Sequence, residues 1–329
     1  MFTPQHFSFA LSMIIVSTIC WGSWANTFKG VGNYRFELFY WDYAIGIFVI
    51  SLVLAFTMGS THPGASSFLT NVHLASDGNI VSALLGGTVF NLANLLLVAG
   101  IEMAGLAVAF PVSIGLALVV GVVLSYLLQP KGNAILLAIG VVLAVVAVIL
   151  DGKAYAALRK PGASVSLSHK SLWICAVSGV LMGLWAPFVT RSLTAGHPLS
   201  PYSTAVFFTL GALLSCFLFN TYLMKKPLSG EPVAARGFFR AAPSAHLLGL
   251  AGGFIWGIGT VFNLVAANFT GVAISYAIGQ ASPMVAALWG VFAWREFHGA
   301  GGRAKTYLAL MFLFYVLAIV TVAGAHRAA

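Results

Sequence analysis

Amide, indole and carboxylate side chains stand at spacings that gather them inside a long apolar chain. Asn91, Asn94 and Glu102 fall on one helix face: at 3.6 residues per turn, the step from Asn91 to Glu102 is about three turns with roughly 20° of drift. Tyr276 and Gln280 stand one turn apart, with Pro283 just beyond. Gln carries two donors and a carbonyl acceptor, the set that holds an amide or hydroxyl of a neutral solute. Trp24 and Trp185, with Trp21 and Trp256 also inside apolar runs, can stack on a planar or sugar-like solute while the indole N–H finds a partner. The chemistry is that of binding, and the candidate substrate contacts are Asn91, Asn94, Tyr276, Gln280, Trp24 and Trp185. Each has a plainer reading. Amides glue membrane helices together, tryptophans form interfacial belts, and Tyr276 and Gln280 can pack around a proline kink.

The candidates for proton coupling are Asp42 and Glu102. Glu37, Glu102, Asp151 and Glu296 sit at the ends of apolar runs, and none is plainly at mid-bilayer, where a relay is most persuasive. A carboxylate early in a helix, such as Asp42, also offsets the helix dipole. Arg295-Glu296, with His298 and Arg303, reads as a local ion pair and anchor, and His62 and His73 read as solvated loop residues. No G-x-x-x-x-G-K-[ST], H-E-x-x-H or C-x-x-C sequence occurs. Cys20, Cys175 and Cys216 all fall inside apolar runs and show neither a disulfide framework nor metal-ligand spacing. Nothing points to ATP hydrolysis, metal chemistry or a cofactor.

The elements that must position these groups are set by the medium. Hydrophobic residues make up 60% of the chain and charged residues 7%, where a soluble domain carries about 25% charged. Apolar runs near the roughly 20 residues needed to span a bilayer occur at 8–28, 37–58, 81–101, 105–128, 133–151, 171–191, 201–224, 246–268, 271–294 and 306–325. The runs are continuous rather than alternating, which selects helices over a barrel. The pair 81–128 is interrupted only near Glu102 to Gly105, so nine spans are the alternative count to ten. No Lys or Arg precedes the first run, so it is expected to stay as a helix and not to act as a cleaved signal.

The two halves of the chain echo each other. Gly86-Gly87 and Gly105-Leu106-Ala107-Val108 correspond without a gap to Gly252-Gly253 and Gly271-Val272-Ala273-Ile274, and Trp21-Gly22-Ser23-Trp24-Ala25 echoes Met182-Gly183-Leu184-Trp185-Ala186. Residues 1–151 form a first five-helix repeat, 152–170 a basic cytoplasmic linker, and 171–329 a second five-helix repeat. Five is odd, so the second half crosses in the opposite sense, and inverted repeats of this kind place a site near the midplane. Of the 16 Lys and Arg residues, 13 fall on one side and 3 on the other. The positive-inside rule then puts both termini outside and the loops 152–170 and 225–245 in the cytoplasm. That topology accounts for the net charge of +9 without nucleic acid.

The residues resemble a known family. Gly86-Gly87 through Asn94, then Gly105-Leu106, look like the ureide permeases, as do Tyr40-Trp41-Asp42-Tyr43 and the stretch from Gly253 to Trp294 with Gln280, Pro283, Trp289-Gly290 and then Arg295-Glu296-Phe297. The chain is also similar to the bacterial glucose/ribose porters and rhamnose–proton symporters of the drug/metabolite transporter superfamily. The resemblance implies an all-α polytopic membrane protein of ten helices in two repeats, typically driven by protons. Ureide permeases move allantoin and related oxo-heterocycles, and the porter relatives move sugars. Plant ureide permeases have a longer central loop with a nucleotide-binding-like motif. The short loop 152–170 lacks it, as in a compact bacterial-type member.

The expectation is a secondary carrier in the cell membrane that imports a small neutral polar metabolite, ureide- or nucleobase-like, with a proton as partner ion. A sugar–proton symporter is the alternative, followed by a drug or metabolite exporter. A receptor lacks a substantial external domain here, and a membrane enzyme lacks a clustered His/Asp/Glu constellation.

Overall fold

The computed structural model describes residues 1–61, 67–158 and 168–327. Ten helical spans among them are long and apolar enough to cross a bilayer: α1 Phe7–Lys29, α2 Phe36–Ser60, α3 Asp77–Ala104, α4 Leu106–Leu128, α5 Ala134–Ala157, α6 His169–Thr194, α7 Pro201–Lys225, α8 Pro243–Thr270, α9 Val272–Phe292 and α10 Gly302–Arg327. No strand occurs among the described residues. The protein is an all-α polytopic membrane protein. His62 and residues 159–167 of the basic linker lie outside the described residues, and His73 is exposed on a short helix, Phe68–Leu74.

Local chemistry sets the helix ends. Asn133 Oδ1 accepts from the amides of Ile135 and Leu136, both at 3.0 Å, and opens α5. Ser168 and Ser200 cap α6 and α7 in the same way. The break between α3 and α4 falls at Gly105 with φ 73°, and the break between α8 and α9 at Gly271 with φ 91°. A residue with a Cβ adopts these angles only with strain, so the turn that leaves the chain with ten spans and not nine is written in two matching glycines.

Two expectations about boundaries need correction. The helix expected to stop at Asp151 continues to Ala157, so residues 152–157 belong to α5 and not to the linker. Its last turns pack on protein as well as lipid, with Gly152 against Pro111 and the Ala107 carbonyl. Hydropathy marks where a chain can face lipid and is blind to such a continuation.

The most extensive helix pairings are kept when each helix is exchanged for the one five places on. α1 packs on α8 as α6 packs on α3; α2 on α8 as α7 on α3; α9 on α1 as α4 on α6. The pairs α2–α7, α4–α9 and α5–α10 each map onto themselves. Small residues permit the closest approaches, as expected where packing rather than the hydrophobic effect joins helices. A Cβ on Gly87 would collide with the Phe208 carbonyl, and one on Gly253 with the Tyr43 carbonyl. Likewise, a Cβ on Gly46 would lie 2.6 Å from the Leu250 carbonyl, and one on Gly211 would collide with that of Leu84.

Candidate functional site

A cavity of about 330 Å³ opens between α1, α3, α4, α6, α8 and α9. It begins at an aromatic floor. Phe90 stacks on Trp256 at 4.5 Å between ring centroids, Trp21 stacks on the same indole at 6.0 Å, and Trp185 meets Trp21 edge-on at 6.3 Å. Phe90 and Trp256 occupy matching positions of the two halves, so the floor lies where the halves meet. Trp21 donates its indole N–H to Thr260 Oγ1 at 3.1 Å, which leaves the ring faces for contact.

Polar groups enter this apolar bowl at a few points, the usual build of a small-molecule pocket. Asn94 donates to the Tyr40 hydroxyl at 3.3 Å, and no described group hydrogen-bonds its side-chain carbonyl. The Gln280 side-chain amide likewise has no partner among the described residues, although the residue is 8% exposed. Gln280 sits where α9 breaks into Val272–Gly279 and Ser282–Phe292, with Pro283 opening the second piece. The matching stretch of α4, Phe110–Ile114, is a π-turn, and Phe110 and Ile114 also line the cavity. Discontinuous helices facing each other near mid-span are the usual frame of a carrier's solute site, and π-turns gather at functional sites.

The mouth lies at the end of the bundle that carries the α7–α8 connection, because a second small cavity joins Glu37 and Glu102 to Pro227–Ser229. Glu102 is the charged residue among those lining the main cavity. Beside it Arg35 pairs with Glu37 and donates to the Glu231 carbonyl at 3.1 Å. The hydrogen bond that Arg35 donates to Glu37 holds its guanidinium above its already high range. Three links tie α1 to α9 and its following turn around the mouth: Lys29 to Glu296, Trp294 Nε1 to Asn26 Oδ1 at 2.6 Å, and Trp289 Nε1 to Ser23 Oγ at 2.9 Å. Glu296 therefore pairs with distant Lys29, and also accepts from the Tyr155 hydroxyl at 3.2 Å, in place of the expected local pair with Arg295.

The structure brings Trp24, Asn94, Glu102, Trp185 and Gln280 to one cavity. It does not bring Asn91, Tyr276 or Asp42 there. Asn91 is fully buried, donates to Ser215 Oγ at 2.8 Å and accepts from Cys216, so it joins α3 to α7. The Tyr276 hydroxyl spans to the Ala117 and Met182 carbonyls at 3.3 and 3.1 Å and joins α9 to α4 and α6. Asp42 pairs with His246 Nδ1 at 2.8 Å. Nearby, burial first and the Asp42 carboxylate second push the Tyr34 hydroxyl well above the usual phenol range. Sequence reasoning missed Phe90, named Trp256 as a stacking indole without placing it among the substrate contacts, and read Asp151 as the end of an apolar run. The repeat offset linking Phe90 to Trp256 was the available signal for Phe90.

Ten spans around a part-open cavity lined by indoles, the Gln280 amide and the Asn94 carbonyl have the build of a multi-pass membrane transporter. The sequence pattern of the ureide permease family matches residues 39–164 and 164–325, and the chain belongs to that family. It is 23% identical to Ureide permease 2 of Arabidopsis thaliana, with 88% of this chain and 89% of the relative aligned. Ureide permease 4 of the same plant is 22% identical, with 99% and 100% aligned. A solved crystal structure superimposes with a TM-score of 0.66 over 97% of this chain and 98% of the other at 17% identity, a likeness of fold.

Proposed function

We propose that the protein is a proton-coupled secondary carrier that imports a small, planar, uncharged ureide- or nucleobase-like solute across the cell membrane. The observation that carries this reading is the pairing of indole rings with the Gln280 amide and the Asn94 carbonyl, neither of which has a partner among the described residues, in one cavity. Trp24 and Trp185 offer indole surface to a flat ring, with Trp256 stacked behind them in the floor. The Gln280 amide and the Asn94 carbonyl complement the alternating N–H and C=O groups on the edge of a urea-bearing ring. A charged solute would need a counter-charge deeper than Glu102 at the mouth.

Alternating access in this reading is the rocking of residues 1–151 against 171–329. The matched glycine crossings and the paired breaks at Gly105 and Gly271 are the hinges. The distribution of basic residues supports both termini outside, which makes the present cavity open to the cytoplasm. The test is uptake into proteoliposomes of allantoin, uracil, glucose and rhamnose, with and without a pH gradient. Saturable uptake of the flat nitrogenous solutes, raised by an acid exterior, is expected. Uptake of sugars alone would overturn the substrate class, and no saturable uptake of any neutral solute would overturn the carrier.

A further inference from the structure

One carboxylate stands apart from the site. Asp151 lies in α5, 1% exposed, and neither of its oxygens has a hydrogen-bond partner among the described residues. The other acidic groups around the bundle are satisfied or wet. Asp42 holds His246, Glu37 holds Arg35, Glu296 holds Lys29, and Glu102 faces the cavity mouth. On the same face of α5, one turn to either side of Asp151, stand Ala147, Val148, Ala154 and Tyr155, which pack into an apolar cluster with Met311 and Tyr315 of α10. An ionised carboxylate there is uncompensated, so in this conformation the group carries its proton.

The titratable groups facing it are few. From its own helix there is Tyr155, whose hydroxyl is bonded to Glu296. From α10 there is Tyr315, whose hydroxyl is also buried without a partner among the described residues and lies within electrostatic reach of Asp151. Lys153 is exposed and turned to Tyr307. Of the segments of α4 and α9 packed on α5, Leu106–Ile114 and Ser282–Phe292 contain no titratable residue, and Gly115–Leu128 contains Tyr126, whose hydroxyl donates to the Gly132 carbonyl at 3.3 Å near the start of α5. The apolar neighbours offer no cage of oxygens for a metal ion, whereas a proton needs one carboxylate.

Gly152, the next residue, touches Pro111 and the Ala107 carbonyl. Pro111 belongs to the π-turn whose Phe110 and Ile114 line the solute cavity. The contact joins the residue beside the buried carboxylate to the irregular turn of α4 whose residues line the cavity.

We propose that Asp151 is the protonation site of the carrier: it holds a proton while buried as here, and releases it to water when movement of the α4 π-turn exposes it. The inference rests on the carrier reading and adds where its coupling proton resides. Wild type, Asp151→Asn and Asp42→Asn are compared in proteoliposomes with labelled allantoin, by counterflow at equal pH and by accumulation under a gradient of one pH unit, acid outside. One coupled proton supports an accumulation of up to about tenfold. Wild type and Asp42→Asn are expected to accumulate. Asp151→Asn, which keeps the shape and fixes the neutral form, is expected to keep counterflow and fall to an accumulation ratio of about one.

Accumulation by Asp151→Asn at the wild-type level overturns the proposal and leaves the carrier standing, whereas absent counterflow in wild type overturns the carrier itself. The second readout is the fluorescence of the cavity tryptophans in detergent as pH is varied. A transition present in wild type and lost in Asp151→Asn supports the site even if the variant fails to reconstitute, and the same transition in both proteins overturns it.

Discussion

Replacing Gln280 by Leu removes a donor–acceptor pair from the cavity wall while nearly keeping the side-chain volume. No described group hydrogen-bonds the Gln280 amide, and the backbone N–H of the residue still bonds the Tyr276 carbonyl at 2.9 Å, so the fold loses little. The solute loses two neutral hydrogen bonds of about 1 kcal/mol each. A total of about 2 kcal/mol is roughly a 30-fold change in affinity. Both bonds are made in the bound ground state, so the loss falls on KM rather than on the maximal rate. The assay is initial-rate allantoin uptake at graded concentrations in proteoliposomes of matched protein content, with a melting curve on the same preparations. A KM within twofold of wild type at unchanged melting temperature would refute the placement of Gln280 against the solute.

Further outcomes follow from the same geometry. Asn91→Leu removes the bond to Ser215, whose hydroxyl keeps its bond to the Ala212 carbonyl, and is expected to cost about 1 kcal/mol of stability with KM unchanged, as read by thermal melting beside uptake. Tyr276→Phe removes the bonds to the Ala117 and Met182 carbonyls and is expected to lower stability by about 1 kcal/mol, again without a change in KM. Gly87→Val and Gly253→Val each force a side chain into a facing carbonyl. The expected cost is about 1–3 kcal/mol from overpacking, with a fall in maximal uptake rate larger than any change in KM.

Much of the fold is legible in the sequence because lipid imposes a simple rule on helix length. The repeat is legible because close crossings and left-handed turns demand glycine, so Gly87 and Gly253, and Gly105 and Gly271, survive as matched marks. Site residues are harder to read. Asn91 shares a helix face with Glu102 on an ideal wheel, yet Gly87, one turn earlier on that face, brings α7 against it, and the amide is spent on Ser215 and Cys216. Asn94, three residues on, escapes that contact and reaches the cavity. Gln280 is exposed to the cavity by the break in α9, which Pro283 announces. Asp151 stands last in its apolar run, so it read as an end; burial by α10 and the α4 π-turn is a tertiary fact with no local mark.

The central claim is that one cavity of indoles and amides holds a neutral planar solute. Equilibrium binding of labelled allantoin to the purified protein in detergent tests it without any dependence on reconstitution or gradients. Saturable binding at one site per chain, displaced by uracil but not by glucose, and weakened at least tenfold in the Gln280→Leu and Asn94→Leu double variant, is the predicted result. Undiminished binding in the double variant, or displacement by glucose but not by uracil, would contradict it.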